Sequence, residues 1–337
     1  MKAVVLVGGE GTRLRPLTET VPKPLLPLVD RPILGHLLDH LVVHGVGEVI
    51  MSSPYLEEMF HPFIEARGGE PAITWITERE ALGTGGAIVS VLTYLGDQPF
   101  LALNGDILTD LDLTAMLASH REHNAAATIA LHHVEDARAF GLVASDPSGR
   151  IREFREKPPD PVPGDINAGT YVLEPSDLRA WPTGTPLSIE TEIFPALIRS
   201  GAAVFGFETD AYWLDLGTPE QYLRAHVDLL AGRVRGSRYQ APWLGSGASL
   251  DPTAHVGRSV VIGEGASVGP GARLEEAVLM AGAIVEAEAH VERSIVGPRG
   301  IVGEGATLVD SVLGEGVRVP PGVRLESIRQ GSGTPRS

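Results

Sequence analysis

The chain has 337 residues, of which 43% are hydrophobic and 21% charged, as in an ordinary globular protein long enough for two domains. It contains no cysteine, which excludes disulfides, thiolate metal ligands and cysteine nucleophiles. The formal net charge of -16 disfavours nucleic acids and anionic membranes as partners, so a phosphate ligand would need a local basic island. We find neither a long apolar run nor a signal-peptide cleavage site, and therefore expect a cytoplasmic protein.

The first part of the chain alternates strand-like and helix-like segments. Residues 2–7 predict a buried strand, which Gly8, Gly9 and Gly11 prevent from continuing. The segments that follow are a helix after Asp30 that ends at Gly45, a strand at 47–53, a helix at Tyr55 to Ala66, a strand at 72–76, a helix at Gly86 to Leu95 and a strand at 99–106. This alternation is typical of an α/β domain with a Rossmann-like, mainly parallel sheet, which we assign to residues 1–232.

The composition changes at residues 233–248, which we interpret as a linker. Beyond it, apolar residues recur every six positions from Leu250 to Leu274. After Leu274, one interval in every three is five residues long and the other two remain six. Equivalent positions then lie 17 apart, at Leu274, Val291, Leu308 and Leu325. This rhythm resembles the hexapeptide repeats of left-handed parallel β-helices, and a disordered glycine-rich tail would not explain its regular phase. We predict such a β-helix at residues 249–327 and disorder at 328–337.

The loop after the first strand combines glycines with basic residues. Gly8, Gly9 and Gly11 allow backbone N–H groups to approach phosphate oxygens closely, and Arg13 and Lys23 supply positive charge. The loop is neither a P-loop nor a dinucleotide-binding GxGxxG motif. The glycines alone therefore indicate a phosphate ligand of unspecified kind.

The longer string GGEGTRLRPLTETVPKPLLPLVDRPIL resembles the signature of the sugar-1-phosphate nucleotidyltransferases, also called nucleotide-diphosphosugar pyrophosphorylases. The resemblance continues in LALNGD, FREKP, INAGTYVLE, SIETEIFPAL and WLDLGTPEQYLRAH, so it covers essentially the whole chain. It implies that a sugar 1-phosphate oxygen attacks the α-phosphorus of a nucleoside triphosphate and that pyrophosphate leaves. Such an in-line displacement between two anions needs cationic side chains and a metal, here Mg²⁺.

The resemblance also implies roles for individual residues. Arg13 contacts the departing pyrophosphate, Lys23 bridges phosphates, and Asp106 and Asp215 hold Mg²⁺, so that these four are the implied catalytic residues. An isolated aspartate at a strand end would otherwise be interpreted as a cap. The implied nucleotide-binding residues are Leu6, Gly8, Gly9, Gly11, Thr12, Arg13, Gly83, Thr84 and Gly105. The implied sugar-phosphate-binding residues are Gly141, Glu156, Lys157, Asn167 and Gly169, with Glu156 accepting sugar hydroxyls and Lys157 gripping the phosphate.

The stretch ITEREALGTGGAI is expected to recognise the base. Its LGT-small-Gly loop resembles that of mannose-1-phosphate and heptose-1-phosphate guanylyltransferases more than that of thymidylyltransferases. Glycine backbone groups suit guanine and adenine alike. GTP and mannose 1-phosphate, or a related sugar phosphate, are therefore the favoured substrates, and a glucose-1-phosphate thymidylyl- or adenylyltransferase is the alternative. A heptose, glucose or cyclitol phosphate remains open.

The β-helix allows two further interpretations. Relatives with much longer β-helices are acetyltransferases, but only about four coils fit here, and His255 and His290 are interpreted as residues of the β-helix surface. Related chains also serve as non-catalytic regulatory subunits. This interpretation is disfavoured by the presence of Arg13, Lys23, Asp106, Asp215 and Lys157. The family resemblance further implies a homo-oligomer, dimer or tetramer, formed through the β-helix.

Overall fold

The computed structural model describes residues 1–53 and 57–333, which fold into two compact units. Met1–Gly9 with Leu37–Trp213 form the first unit, and Glu10–His36 with Leu214–Ser337 form the second. This division differs from the boundary predicted at residue 232. The segment that carries Arg13 and Lys23 groups with the C-terminal coils, and the two are hydrogen-bonded: Thr20 Oγ1 donates to Glu315 at 3.2 Å.

The first unit is built on a nine-stranded mixed sheet. Its strands are Lys2–Leu6, Glu48–Ser53, Ala72–Thr77, Phe100–Asn104, Ala127–Val134, Gly141–Ser145, Ile151–Glu156, Gly164–Leu173 and Val204–Glu208. Lys2–Leu6 pairs in parallel with Glu48–Ser53 and Phe100–Asn104, and Glu48–Ser53 pairs in parallel with Ala72–Thr77. Gly164–Leu173 is antiparallel to its neighbours, including Phe100–Asn104. The predicted α/β architecture is confirmed, and its parallel part contains the first strand and the glycine loop that follows.

Helices pack around this sheet. They are Phe60–Ala66, Gly83–Ser90, Leu92–Leu95, Leu113–Glu122, Pro175–Leu178 and Phe194–Arg199, with a π-helical turn at Ile189–Ile193; Ile33–Val43 spans the division between the units. Fully buried Phe100, Tyr171 and Phe194 lie in the central hydrophobic cluster. The helix predicted to begin at Tyr55 lies partly outside the described residues, and its described part is a 3₁₀ turn, Glu57–Met59, followed by Phe60–Ala66.

The second unit contains a three-sided parallel β-helix. Its first sheet is formed by Trp243–Leu244, Val261–Ile262, Val278–Leu279, Ile295–Val296, Val312–Leu313 and Arg329–Gln330; its second by Ser249–Leu250, Ser267–Val268, Ile284–Val285, Ile301–Val302 and Arg318–Val319; its third by His255–Val256, Arg273–Glu275, His290–Glu292, Thr307–Val309 and Arg324–Glu326. Leu274, Val291, Leu308 and Leu325 occupy paired positions in the third sheet, as their spacing predicts.

One corner of the β-helix explains the shorter repeat. Glu276, Arg293, Asp310 and Ser327 occupy this corner at intervals of 17 residues, with φ of 46°, 43°, 47° and 53°. The left-handed backbone at this corner turns the chain one residue sooner than at the other corners. The interval between inward-facing residues is therefore five residues, as between Leu274 and Leu279. These corner residues face the helix Pro219–Leu230 across a cavity of about 610 Å³.

The ends of the β-helix differ from the prediction. Trp243–Leu244 lies within the predicted linker, yet it pairs with Val261–Ile262 and forms the first strand. Arg329–Gln330 lies within the predicted disordered tail, yet it pairs with Val312–Leu313. Leu244 lies six residues before Leu250 and continues the apolar rhythm, whereas Gln330 is polar and its strand is ordered by backbone pairing with the neighbouring coil. Residues 334–337 lie outside the described residues.

Within residues 1–53 and 57–333, no helix combines the length and apolar character required to cross a bilayer. The second unit also includes 3₁₀ turns at Thr12–Leu14 and Lys23–Leu25, a short hairpin of Pro27–Leu28 with Arg31–Pro32, and the helix Pro219–Leu230.

Candidate functional site

The second unit gathers two cations on one carboxylate. Asp215 Oδ2 lies 3.7 Å from Arg13 Nη2, and Asp215 Oδ1 lies 3.6 Å from Lys23 Nζ. The Lys23 side chain is only 7% exposed, whereas that of Arg13 is 65% exposed. The buried lysine is a fixed point charge, and the exposed guanidinium offers its remaining donors to a ligand. The structure thus brings three of the four predicted catalytic residues together.

The backbone around these cations is held by Gly11 and Thr18. Gly11 adopts a left-handed φ of 62° at the start of the turn Thr12–Leu14 that carries Arg13. The Thr18 hydroxyl donates to the Gly11 carbonyl at 2.8 Å, and a Cβ on Gly11 would lie 3.0 Å from the Thr18 methyl carbon and 3.2 Å from Lys23 Cβ. A side chain at position 11 would therefore be strained by both its backbone and its neighbours.

In the first unit, the predicted nucleotide-binding residues Leu6 and Gly105 are in contact. The Gly105 N–H donates to the Leu6 carbonyl at 2.9 Å, and a Cβ on Gly105 would lie 2.8 Å from the same oxygen. Both residues are at the carboxyl end of parallel strands, where α/β sheets place their ligands. Asp106 follows Gly105 directly, so its carboxylate is carried at this edge of the sheet.

The predicted base-recognition loop is fixed against residues 185–190. The N–H groups of Gly85 and Gly86 donate to the Leu187 carbonyl at 2.9 and 3.1 Å. The Thr84 hydroxyl donates to Glu190 at 2.7 Å and accepts from the Ile189 N–H at 3.0 Å. These bonds start the helix at Gly83, three residues before its predicted start, and Thr84 orders the loop through its side chain.

Three glycines at this loop leave no room for side chains. A Cβ would lie 2.7 Å from Leu187 O at Gly83, 2.8 Å from Ile193 Cδ1 at Gly85 and 2.4 Å from Thr185 O at Gly86. The glycines are therefore required for close packing of the loop on its neighbours, in addition to any contact with a ligand.

The predicted sugar-binding strand contains an irregularity at Gly169. Its register with Ala127–Val134 shifts between Asn167 and Tyr171, and Gly169 adopts a φ of 70°. The Gly169 N–H donates to Asn167 Oδ1 at 2.9 Å, and a Cβ on Gly169 would lie 2.6 Å from Asn104 Nδ2. Asn167 and Gly169 therefore lie beside the strand end that leads to Asp106.

Acidic side chains surround the hydroxyl of buried Tyr171. Burial raises the pKa of Tyr171 well above its usual range, and the charges of Glu190, Glu156 and Asp106 raise it further. Asn167 Nδ2 donates to this hydroxyl at 2.8 Å. The Tyr171 hydroxyl therefore contacts one predicted sugar-site residue, Asn167, and the charges of Glu156 and Asp106 act on it electrostatically.

The remaining sugar-site residues lie on the neighbouring strands. Glu156 is paired with Gly141, and a Cβ on Gly141 would lie 2.9 Å from Glu156 Oε2. Lys157 Nζ lies 3.2 Å from Glu156 Oε1, with the lysine side chain 66% exposed. Lys157 also adopts a left-handed φ of 45°, and its N–H donates to Phe140 O at 3.0 Å. The strand end thus presents a carboxylate and an exposed cation side by side.

Several residues of these clusters are absent from the sequence prediction. Gly217 accommodates the Arg13 guanidinium, Glu190 binds Thr84, and Asn104 lies against Gly169. All three stand within the quoted motifs WLDLGTPEQY, SIETEIFPAL and LALNGD, which are the only sequence signal for them.

The donor chemistry of the predicted metal ligands suits Mg²⁺. Asp106 and Asp215 supply hard oxygen atoms, and magnesium is commonly held by one or two carboxylates together with substrate phosphates. Asp215 also lies beside two cations that are suited to those phosphates. Among the residues that the structure describes, no group of three or more His, Asp or Glu side chains is arranged to hold a metal by itself.

Comparison with known proteins identifies two matching family models. The model described as nucleotidyl transferase matches residues 2–232, and the model described as GMPPB C-terminal domain matches residues 241–329. A Mycobacterium tuberculosis protein named mannose-1-phosphate guanylyltransferase is 40% identical over 302 residues, which cover 86% of this chain and 83% of that protein. An Arabidopsis thaliana protein named probable mannose-1-phosphate guanylyltransferase 2 is 35% identical over 95% of this chain and 92% of that protein.

A solved structure shares the fold of about two thirds of the chain. It is the crystal structure of HddC from Yersinia pseudotuberculosis complexed with GMP-PN. It superposes with a TM-score of 0.59 at 29% identity, over 66% of this chain and 97% of that chain.

Proposed function

Because the chain belongs to the nucleotidyl transferase family, we propose that it transfers the guanylyl group of GTP to mannose 1-phosphate, forming GDP-mannose and releasing pyrophosphate. The observation that carries the proposal is the match, over most of both chains, to proteins named mannose-1-phosphate guanylyltransferase. The structural relative in complex with GMP-PN supports a guanine nucleotide.

The cations on Asp215 supply the charge neutralisation that this reaction needs. As the sugar phosphate oxygen bonds to the α-phosphorus, the bond to the bridging oxygen breaks and its electron pair leaves with pyrophosphate. Arg13 binds the departing pyrophosphate with its exposed guanidinium, and the buried Lys23 side chain holds its ammonium group in one position beside Asp215. Since Pro22 and Pro24 flank Lys23, its backbone has little freedom to move away.

The nucleotide and the sugar phosphate are assigned to different clusters. The base is assigned to the fixed loop of Gly83 and Thr84, whose backbone offers donors and acceptors. The sugar hydroxyls are assigned to Glu156 and Asn167, and the sugar phosphate to Lys157. The Asn167 side chain is already oriented by Tyr171 and Gly169, so sugar binding requires little further ordering.

Asp106 and Asp215 are the proposed ligands of Mg²⁺, which supplies Lewis-acid polarisation of the phosphates when bound. Asp106→Asn keeps the size of the side chain and removes its charge. We expect the rate of GDP-mannose formation to fall at least about a hundredfold while the melting temperature is retained. A matched variant, Asp97→Asn, alters an exposed aspartate that pairs with Arg179 and should leave the rate unchanged. A near-normal rate for Asp106→Asn would refute the assignment.

We further propose that the protein is a homo-oligomer formed through its β-helix. Ile284 is 37% exposed in the middle of the second sheet of the β-helix, where Ile301 pairs with it. Light scattering after size exclusion should give a multiple of the 35.7 kDa chain mass. A monomer at micromolar concentration would contradict this proposal.

The direct test of the proposed reaction is identification of its product. Purified protein is incubated with GTP, mannose 1-phosphate and Mg²⁺, and GDP-mannose and pyrophosphate are quantified. The proposal predicts equal amounts of the two products. Pyrophosphate release without GDP-mannose, or no release by folded protein, would contradict it.

A further inference from the structure

The last coil of the β-helix contacts the turn that carries Arg13. Arg329 Nη1 donates to the Arg13 carbonyl at 3.2 Å, and Arg329 Nη2 donates to Glu220 Oε1 at 2.8 Å. One guanidinium therefore joins the turn Thr12–Leu14 to the first turn of the helix Pro219–Leu230. The Thr20 hydroxyl bond to Glu315 is a second contact between the same segment and the same end of the β-helix.

We propose that Arg329 is a positioning residue for nucleotidyl transfer, which holds the Arg13 backbone so that the Arg13 guanidinium stays directed at the leaving pyrophosphate. The inference rests on the proposed function, because it assumes that Arg13 contacts that pyrophosphate. Arg329 itself touches no substrate in this account.

The local sequence explains why the Arg13 carbonyl needs a distant donor. Within the turn, Leu14 and Arg15 donate to the carbonyls of Gly11 and Thr12. The next donor in this series would be residue 16, which is Pro16 and has no N–H. The Arg13 carbonyl therefore has no partner three residues on, and the bond from Arg329 satisfies it.

The turn itself does little to fix the direction of Arg13. It is one short 3₁₀ turn, its N-cap residue is Gly11, and no side chain caps it. The Arg13 side chain is 65% exposed and lies 3.7 Å from Asp215, beyond ordinary hydrogen-bond distance. Fixing the backbone at the carbonyl narrows the range of directions that the side chain can sample, which is the form of preorganisation that charge stabilisation requires.

Glu220 fixes the other side of the Arg329 guanidinium. Burial acts to raise the pKa of Glu220, but its hydrogen bonds, including those to its own backbone, Thr218 and Arg329, hold the pKa below the ordinary value. The carboxylate is therefore charged at neutral pH and binds Arg329 as an ion pair. The helix Pro219–Leu230, capped by Thr218, gives this ion pair a rigid support.

Arg329 can be truncated without removing core packing. Its side chain is 47% exposed and lines the cavity of about 610 Å³, and its strand pairs with Val312–Leu313 through backbone bonds. A matched control is Arg324 on the same coil, whose side chain is 62% exposed and bonds to Glu326. Arg329→Ala and Arg324→Ala therefore remove similar side chains from the same part of the β-helix.

The test compares these variants in both directions of the reaction. For Arg329→Ala we expect kcat of the forward reaction to fall, and KM for pyrophosphate in the reverse reaction to rise, each about three- to tenfold. KM for mannose 1-phosphate and the melting temperature should not change. Arg329→Lys keeps the charge but cannot donate in a fork to both partners, so it should be intermediate, and Arg324→Ala should match the parent protein.

Arg13→Lys provides the decisive second variant, since it keeps the backbone carbonyl and loses the guanidinium. If Arg329 acts through Arg13, Arg329→Ala should have little further effect when combined with Arg13→Lys. If the effects of the two substitutions multiply in the double variant, the positioning role is overturned. It is also overturned if Arg329→Ala weakens every kinetic parameter equally and lowers the melting temperature. Normal turnover by Arg13→Lys would instead overturn the proposed role of Arg13, and the inference with it.

Discussion

At residue 217, only a hydrogen atom fits beside the Arg13 guanidinium. A Cβ at this position would lie 2.5 Å from Arg13 Nη2 and 3.0 Å from Asp215 Oδ2. The nearest atom belongs to the end of a flexible side chain, so a methyl group would displace Arg13 rather than the backbone. Gly217 therefore leaves the space that the Arg13 guanidinium occupies.

We predict that Gly217→Ala lowers kcat about tenfold or more and leaves the melting temperature nearly unchanged, because a charged hydrogen bond contributes about 1.5–3 kcal/mol. Steady-state kinetics and thermal unfolding of the same preparation provide the measurement. Gly47→Ala is the matched control, since a Cβ there has no atom within 4 Å. Parent-like turnover by Gly217→Ala would show that the position of Arg13 does not limit the reaction.

At this scale the sequence identifies charged residues better than the small residues around them. The family motifs name Arg13, Lys23 and Asp215, which the structure places in contact. They give no reason to select Gly217 among 40 glycines, because its role follows from where a distant guanidinium lies. The same holds for Arg329, which is 316 residues from Arg13 along the chain.

The helix Pro219–Leu230 fixes the segment that follows Lys23. The Val29 N–H donates to Nδ1 of buried His226 on this helix at 3.2 Å. Burial, together with the nearby His36, lowers the pKa of His226 to about 3. His226 is therefore neutral in the folded protein at pH values where the unfolded chain, with an ordinary pKa of about 6.5, binds a proton.

We predict from this difference that folding stability decreases as the pH falls below about 6.5. The contribution of His226 to the free energy of unfolding is fully present above its pKa in the unfolded chain. This contribution is lost as the pH falls toward its folded-state pKa of about 3. At pH 5 the loss amounts to about 2 kcal/mol, because only the unfolded chain gains the proton. Denaturant unfolding at pH 7 and pH 5 measures it, and half-buried His40, whose pKa burial lowers to about 4, contributes in the same direction.

His226→Asn isolates this contribution, since the Asn side-chain oxygen can accept the Val29 N–H and does not titrate. The difference in stability between pH 7 and pH 5 should shrink by about 2 kcal/mol in this variant. His255→Asn, on the exposed surface of the β-helix, is the control and should keep the parental difference. An unchanged difference in His226→Asn would contradict the assignment.

Elements with a regular spacing of apolar residues can be predicted from the sequence. Elements that are defined by backbone pairing with another strand are harder to predict. The six-residue rhythm locates the β-helix ladder, including Leu274 and Val291, because each apolar side chain must point inward. Arg329–Gln330 lacks that rhythm and joins the β-helix through backbone bonds to the adjacent coil. Strand direction is also invisible locally, so the antiparallel strand Gly164–Leu173 is apparent only from its partners.

On the scale of the whole chain, the two units are not continuous stretches of sequence. Glu10–His36 groups with the C-terminal residues, although it follows the first strand of the other unit. Within this unit, residues about 300 positions apart are in contact, such as Thr20 and Glu315. The change in composition near residue 233 indicates that the repeats begin shortly afterwards in the sequence. It contains no information about contacts between residues so far apart.

The whole-chain charge also bears on function. With 27 basic and 43 acidic residues, the protein repels anions at long range. The cations Arg13 and Lys23 on Asp215 form the local basic island that phosphate substrates require. Binding of GTP should therefore depend on these residues rather than on the overall field.

Guanylyl transfer is best tested by comparing kcat/KM for GTP, ATP, UTP and dTTP with mannose 1-phosphate and Mg²⁺. We predict that kcat/KM is highest for GTP, by about tenfold or more over each other nucleotide. A higher kcat/KM for ATP, UTP or dTTP would contradict guanine specificity. The absence of pyrophosphate release with all four nucleotides, from protein that is folded, would contradict the proposed reaction itself.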